Sequence, residues 1–568
     1  MMKVYDFIIV GSGFGGSVSA MRLAQKGYSV LVLEKGRRFQ KEDFPKTNWD
    51  VKNFLWAPIF KCFGIQQITL LRGVMLLHGA GVGGGSLVYG NTLMEPQDAV
   101  FKDAAWPHFH HKGQAFDWLK DLKPYYATAK KMLGVTANRL ESFADEALKA
   151  VGHRMGVADT YHPTEVGVLF SEYKGEKVKD PFFAGQGPER YSCTGCGACM
   201  TGCRVGAKNT LDYNYLYLAE KWGAQVLPLS TVSKIEKIFM DPKKEDSKTG
   251  DLKKINSNSF QPEDSYYQVH VTQTGSYLDL LRSRTQIFRA KKIILSAGVL
   301  GTLKLLFQNK LVYKTLPQIS EQLGENIRTN GESLLGATSF DDSKNFSLGI
   351  AIGSAIHPNL TTKIEPVRYT EGADFMRLLA VPLTGAGGKW LRPLKLMVRM
   401  IVDLPKWVRL MFVKDWAKQS IILLVMQSID EKFSIQFSRS WLRPFFHLRG
   451  RIKDSSIPSY IPLAQTAATE LAKEIRGYPQ NVVSEVLLAT PATAHILGGC
   501  CMADDAKQGV IDFNHEVFGY RGLYVCDGSV IPANLAVNPS LTITALSERF
   551  CDQFPVKDEA LFASRQLG

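Results

Sequence analysis

An α/β fold is predicted by three stretches of this sequence. Near the N-terminus, Tyr5-Asp6-Phe7-Ile8-Ile9-Val10 runs into Gly11-Ser12-Gly13-Phe14-Gly15-Gly16. Further on, Arg289 to Leu295 runs into Ser296-Ala297-Gly298-Val299-Leu300-Gly301 and then an apolar helix, Thr302 to Phe307. Near the C-terminus stands Gly522-Leu523-Tyr524-Val525-Cys526-Asp527-Gly528-Ser529. The first two are short apolar runs that turn through small residues into a helix, as buried parallel strands do. The front and tail pieces together describe a Rossmann-like domain that is discontinuous in sequence.

The front can be justified element by element. Phe7 to Val10 is the first strand. Gly11, Gly13 and Gly16 then fall at G-x-G-x-x-G spacing. The first allows a tight turn, the second lets the backbone approach a pyrophosphate, and the third lets the helix pack closely. A helix from Ser17 to Lys26 ends at Gly27, and Tyr28 to Leu33 is a second strand. Glu34 closes that strand, where a carboxylate about 20 residues after the glycines holds a ribose hydroxyl. This order predicts a nucleotide site without separating NAD from FAD.

A second glycine cluster, Gly79-Ala80-Gly81-Val82-Gly83-Gly84-Gly85-Ser86, can lie flat against a planar ligand or a diphosphate. The alternative is a flexible surface loop, but apolar Val74 to Leu77 and Leu87 to Tyr89 flank it and suggest burial. Asp241 to Asp264 is polar and lies between two strand-like runs, Val232-Ser233-Lys234-Ile235 and Tyr266 to Val271. A long surface hairpin is expected there.

Composition narrows the class. The chain of 568 residues is 45% hydrophobic and 21% charged, ordinary soluble values with room for two large cores. It holds no apolar run of membrane-spanning length, and no basic region precedes the apolar N-terminus, so a cytoplasmic location is expected. Nine cysteines in that setting argue against a disulfide framework. The net charge of +14 fits either a solvated lysine-rich surface or contact with a negatively charged membrane. No nucleic-acid motif accompanies it, so nucleic acid is not an expected partner.

Two segments carry open alternatives. Cys193, Cys196, Cys199 and Cys203 read C-x-x-C-x-x-C-x-x-x-C, the spacing of a bacterial ferredoxin run. Arg204 follows where ferredoxins have proline, and no second run exists. An iron–sulfur cluster, a structural zinc and reduced thiols without metal all remain open. Lys389 to Lys418 combines eight basic and two acidic residues with Trp390, Trp407, Trp416 and Phe412. Arg392, Lys395, Arg399, Asp403 and Lys406 fall on one helical face, and Leu394, Met397, Ile401 and Leu404 on another. Pro405 should kink or divide the helix. Peripheral contact at a membrane interface and a lid with a solvated outer face are both consistent with this pattern.

The chain resembles the glucose–methanol–choline oxidoreductase family, in its cholesterol-oxidase-like branch. The likeness rests on the front hundred residues, on Gly81 to Gly90, on Ala297 to Thr302 and on the tail from His495 to Arg549. It implies an FAD-binding domain in three parts, 1–95, 188–312 and 485–568. Between them lie two stretches of an α+β substrate domain, 96–187 and 313–484, built as an antiparallel sheet plus helices. It also implies FAD and oxidation of a bulky apolar, sterol-like alcohol by hydride transfer to flavin N5. Gly81, Gly84, Gly85, Ser86, Val232, Ala297, Gly298, Asp527 and Gly528 would join Gly11, Gly13, Gly16 and Glu34 at the cofactor. His495, in His495-Ile496-Leu497-Gly498-Gly499-Cys500, and Asn538, in Val537-Asn538-Pro539-Ser540, would face the flavin as catalytic residues. Ile496 replaces the branch's usual proline. Glu365 is either a carboxylate for product isomerisation or a salt-bridged surface glutamate. The electron acceptor would be oxygen. If the four cysteines hold a cluster, a flavin–iron–sulfur dehydrogenase feeding a protein or quinone becomes the alternative. A non-catalytic flavin relay is the third reading, and intact His495 and Asn538 oppose it.

Overall fold

Val4–Val10 is apolar and buried from Tyr5 onward except for Asp6, which is buried but polar, so the strand needs cover on both faces and takes the interior of a parallel sheet. The computed structural model describes residues 3–111, 114–239, 265–275, 285–440, 443–451 and 458–567. Val30–Leu33 pairs in parallel with one edge of Val4–Val10, and Gln225–Leu227 lies outside it. Gln286–Leu295 pairs with the other edge, from Val4↔Arg289 to Val10↔Leu295. On its far side the end of that strand receives Leu523–Val525 in parallel, and its beginning receives the antiparallel strand Ser265–Gln273. Front and tail therefore flank one central strand. Ser265–Gln273 pairs with Ser230–Phe239 as the sequence suggests, while the polar segment 241–264 between them lies outside the described residues.

Two helices from opposite ends of the chain lie together on this sheet. Phe14–Gln25 and Ser540–Asp552 are joined by Arg22, whose Nε and Nη2 meet both oxygens of Glu548 at 2.6 and 3.0 Å. The Tyr215 hydroxyl donates to Glu548 as well, at 2.6 Å.

The inserted part contains a second, antiparallel sheet. Its order is His162–Pro163, Ser354–Asn359, Thr362–Val367, Ser420–Gln427, Ser333–Ser339, Gly477–Val482 and Ala380–Pro382. Phe143–Arg154 and Pro462–Glu474 bury Leu148, Val151 and Leu471 against Ile356, Ile364 and Leu423 of this sheet. A short strand, Ala492–Thr493, leaves this region to pair with Val74–Gly79 and delivers the chain to His495.

Pro405 falls just after a break: Leu391–Val402 and Leu404–Met411 are separate helices. Arg392, Leu396 and Leu410 point inward, and Arg392 donates to the carbonyls of Ser459 and Glu485 at 2.6 and 2.9 Å. Leu394, Met397, Ile401 and Leu404 face outward. Lys395, Arg399 and Lys406 are exposed beside them, so the outer face mixes apolar and basic side chains. Among the described residues no helix is long and apolar enough to cross a membrane.

Candidate active site

The glycine turns explain how three distant segments meet. A Cβ on Gly11 would lie 2.2 Å from the Ser296 carbonyl oxygen, and one on Gly16 would lie 2.1 Å from the Gly11 oxygen. Gly15, which the motif does not single out, is held closer still: its Cβ would lie 1.8 Å from the Cys526 oxygen. The second glycine cluster lies on the first, with Gly84 set so that a Cβ would fall 2.7 Å from the Gly13 Cα. Ser12 ties the two together, donating through Oγ to Glu34 at 2.7 Å and accepting from the Gly83 amide at 3.1 Å.

Other glycines on the same turns border open space. Nothing lies within 4 Å of a Cβ built on Gly13, Gly85 or Gly298. A diphosphate and a flat ring system can approach the backbone at such positions, so the residues fit a dinucleotide cofactor.

Several expected cofactor residues also bind their own chain. Glu34 is buried and accepts from the Ser12 amide at 3.0 Å and the Gly36 amide at 2.8 Å, which makes it a brace of the glycine turn. Ser86 donates to the Gly83 oxygen at 2.7 Å and accepts from the Leu211 amide at 3.1 Å. Gly81 accepts from the Gly84 amide at 2.8 Å. Val232 lies on the antiparallel ribbon opposite Val271, beside a register shift. The Ala297 amide donates to Thr302 Oγ1 at 3.2 Å, and that hydroxyl donates to Asp527 Oδ2 at 2.6 Å. Burial raises the Asp527 pKa, and hydrogen bonds from Ser529 and Thr302 only partly oppose this. The Gly528 carbonyl accepts from the Gly498 amide at 3.0 Å, so the cofactor turn of the tail lies beside the His495 loop.

The structure brings His495 and Asn538 together. Asn538 Nδ2 stands 3.4 Å from His495 Nε2. The other end of that amide, Oδ1, is buried without a hydrogen-bond partner. His495 Nδ1 is bonded to the carboxylate of Glu332, which also accepts from the Ala494 amide at 3.1 Å. The carboxylate can only accept, so the proton resides on Nδ1 and Nε2 presents its lone pair. Burial alone would lower the His495 pKa, but the charge and hydrogen bond of Glu332, with the Glu365 charge, together outweigh it and the imidazole lies above its ordinary value. Sequence reading missed Glu332. It precedes Ser333–Ser339 with no motif around it, and only the fold places it 163 residues away in sequence from its partner.

One reading needs correction. Glu365 is not on the surface: its side chain is 0% exposed and pairs with Lys363 at 2.6 Å. Its strand, Thr362–Val367, is buried throughout because it runs inside the second sheet. The charges of Glu365 and Lys363 reach His495 with opposite effects.

The four-cysteine run gains no support as a metal centre. Among the described residues no group of three or more His, Cys, Asp or Glu side chains could hold a metal ion. Cys193, Cys196, Cys199 and Cys203 are free; Cys196 is exposed while the other three are partly buried. Burial raises the pKa of Cys193 and of Cys199. Lys208 is also buried there, donating to the carbonyls of Cys199 and Leu87 at 2.7 and 3.0 Å, with its pKa lowered by burial to about 8. The loop thus packs behind the second glycine cluster.

Comparison with known proteins finds relatives over nearly the whole chain. Residues 442–547 match the GMC oxidoreductase family model, and residues 9–40 match the NAD(P)-binding Rossmann-like domain. A cholesterol oxidase of Acinetobacter baumannii is 40% identical over 559 residues, covering 97% of this chain and 95% of its own. One of Mycobacterium tuberculosis is 41% identical over 579 residues, covering 98% and 92%. Pyridoxine 4-oxidase from Mesorbium loti has a similar fold at 14% identity, with a TM-score of 0.60 over 97% of this chain and 99% of that one. The chain belongs to the GMC oxidoreductase family, in its cholesterol-oxidase-like branch. It is an FAD-dependent oxidoreductase acting on CH–OH groups.

Proposed function

We propose that the protein oxidises a bulky apolar alcohol of the sterol type at the His495–Asn538 pair. The observation that carries this reading is the buried, unpartnered Asn538 Oδ1 next to a histidine whose Nδ1 is already committed to Glu332. Bound FAD supplies the hydride acceptor, flavin N5. Gly11, Gly13, Gly84, Gly85 and Gly298 form the cradle that would hold it, with Asp527 and Gly528 at the end nearest His495. His495 Nε2 takes the hydroxyl proton, or orients a water that does. Asn538 holds the substrate oxygen as negative charge develops there. Glu332 fixes the imidazole ring and stabilises its charged form. Glu365 stays paired with Lys363 and is not assigned an isomerising role. The names of the two close relatives support a sterol-like substrate and oxygen as acceptor. A flavin relay without a substrate would have no need of this polar pair.

The test is anaerobic mixing of the purified holoenzyme with a sterol and with short alcohols. The sterol should bleach the flavin, and short alcohols should do so far more slowly. His495→Ala should retain FAD and slow bleaching about 100- to 10,000-fold, and Asn538→Ala about 100-fold or more. Near-normal bleaching in either variant would refute the role given to that residue.

A further inference from the structure

We infer that the helix pair Leu391–Val402 and Leu404–Met411 is a docking surface for an anionic lipid bilayer. The inference rests on the reading of a lipid alcohol as substrate, which gives the enzyme a reason to sit on a membrane.

The surface is defined by what it leaves exposed. Ten large apolar side chains between residues 390 and 412 face outward, the densest such stretch among the described residues. Trp390, Ile401 and Phe412 are 85%, 73% and 82% exposed. Scattered apolar residues on a surface are normal, whereas a contiguous patch marks a partner. A helix of 12 residues is about 18 Å long, enough to lie in the interface and too short to span about 30 Å of hydrocarbon.

Charge selects the occupant. Residues 389–418 carry eight Lys and Arg against two Asp, a net of +6. Lys389, Lys395, Lys406 and Arg409 are exposed around the apolar face. A two-fold contact between two copies through this face would set that excess against itself. Anionic headgroups would neutralise it while the apolar side chains enter the acyl boundary.

The patch packs on the segment that leads to the active site. Leu396 packs with Val486, and Leu487 and Leu488, next in the chain, are exposed. His495 follows seven residues after Leu488. The docking surface and the proposed base are thus linked through one short segment of chain.

The experiment is cosedimentation of the holoenzyme with vesicles of phosphatidylcholine alone and of phosphatidylcholine with phosphatidylserine, both free of sterol. Binding should be strong only with phosphatidylserine and should weaken as salt rises. Met397→Glu with Ile401→Glu should reduce it about tenfold or more, while the flavin spectrum, melting temperature and bleaching by detergent-dispersed sterol stay at wild-type values. Lys406→Glu should reduce binding to the anionic vesicles alone. Wild-type protein that fails to sediment with either vesicle overturns the inference. So does unchanged binding by the double variant, or a dimer that the double variant dissociates. Because the vesicles contain no substrate, docking without any bleaching by sterol refutes the proposed function alone, and bleaching without docking refutes this surface alone.

Discussion

At the scale of single residues, Glu332 divides the chemistry between two nitrogens of one imidazole. Its carboxylate occupies Nδ1 and leaves Nε2 for substrate. It also raises the His495 pKa against the effect of burial. A base with a raised pKa is inactive while protonated, so bleaching should accelerate as pH rises through a value above 6.5. Glu332→Gln removes the raising charge and should move that limb to lower pH, with a rate loss of about 10- to 100-fold. A limb that stays in place in the variant would separate Glu332 from the titration. Glu485 offers a second pH test. Burial lifts its pKa from 4.5 to about 8 despite bonds from Ser333 and the Leu334 amide. Its contribution to stability is complete below 4.5 and is lost as pH rises through about 8. Thermal melts of Glu485→Gln should therefore fall less steeply than wild type across that window.

His495 and Asn538 were legible in the sequence because each sits inside a local motif on the same stretch of chain. Glu332 was not, since its significance depends on a backbone pairing of Arg328 with Leu497 that local patterning does not encode. The environment of Glu365 was hidden for a similar reason. Strand Thr362–Val367 reads as polar at Lys363 and Glu365, and those two side chains compensate each other inside the sheet.

At the scale of elements, the glycine turns separate two functions that one motif merges. Gly13→Ala places a methyl in open space, so the protein should fold and bind FAD more weakly. Gly15→Ala drives a methyl into the Cys526 carbonyl, which should cost on the order of 1–3 kcal/mol of stability. Comparing melting of the apo-proteins with FAD titration would distinguish the two, and equal behaviour would refute the distinction. The motif located the turn correctly, but the role of Gly15 arises from the tail of the chain. The helices at 391–411 show a related limit. Periodicity gave their two faces and the break near Pro405, yet it could not tell which face meets the protein. Arg392 anchors the first helix with its buried guanidinium, while Lys395, Arg399 and Lys406 stay exposed beside the apolar side chains.

At the scale of the whole molecule, the strand–glycine–helix order and the tail motif made the split α/β domain readable, because each piece is locally regular. The order of the second sheet was not readable, since its strands pair across long separations. The cysteine run shows that regular spacing does not by itself define a metal centre. Anaerobically purified protein should show flavin absorbance without stoichiometric iron or zinc, and one iron or more per chain would restore the cluster reading. The Arg22–Glu548 pair should also matter globally, because Glu548 is nearly fully buried. Glu548→Gln leaves Arg22 without its charge partner and should cost about 3 kcal/mol at most, given that Arg22 keeps some solvent contact.

Joining the two ends of the chain through Gln286–Leu295 has a consequence for biosynthesis. On the ribosome, the βαβ unit of residues 4–33 emerges with one flank of its sheet unfilled, and Leu523–Val525 follows only after the whole second sheet has been made. The proposed base and its amide partner arrive later than almost everything they serve. Nascent chains can therefore expose an unfinished sheet edge while the second sheet is being made, and redox competence is gained once the helix Ser540–Asp552 docks.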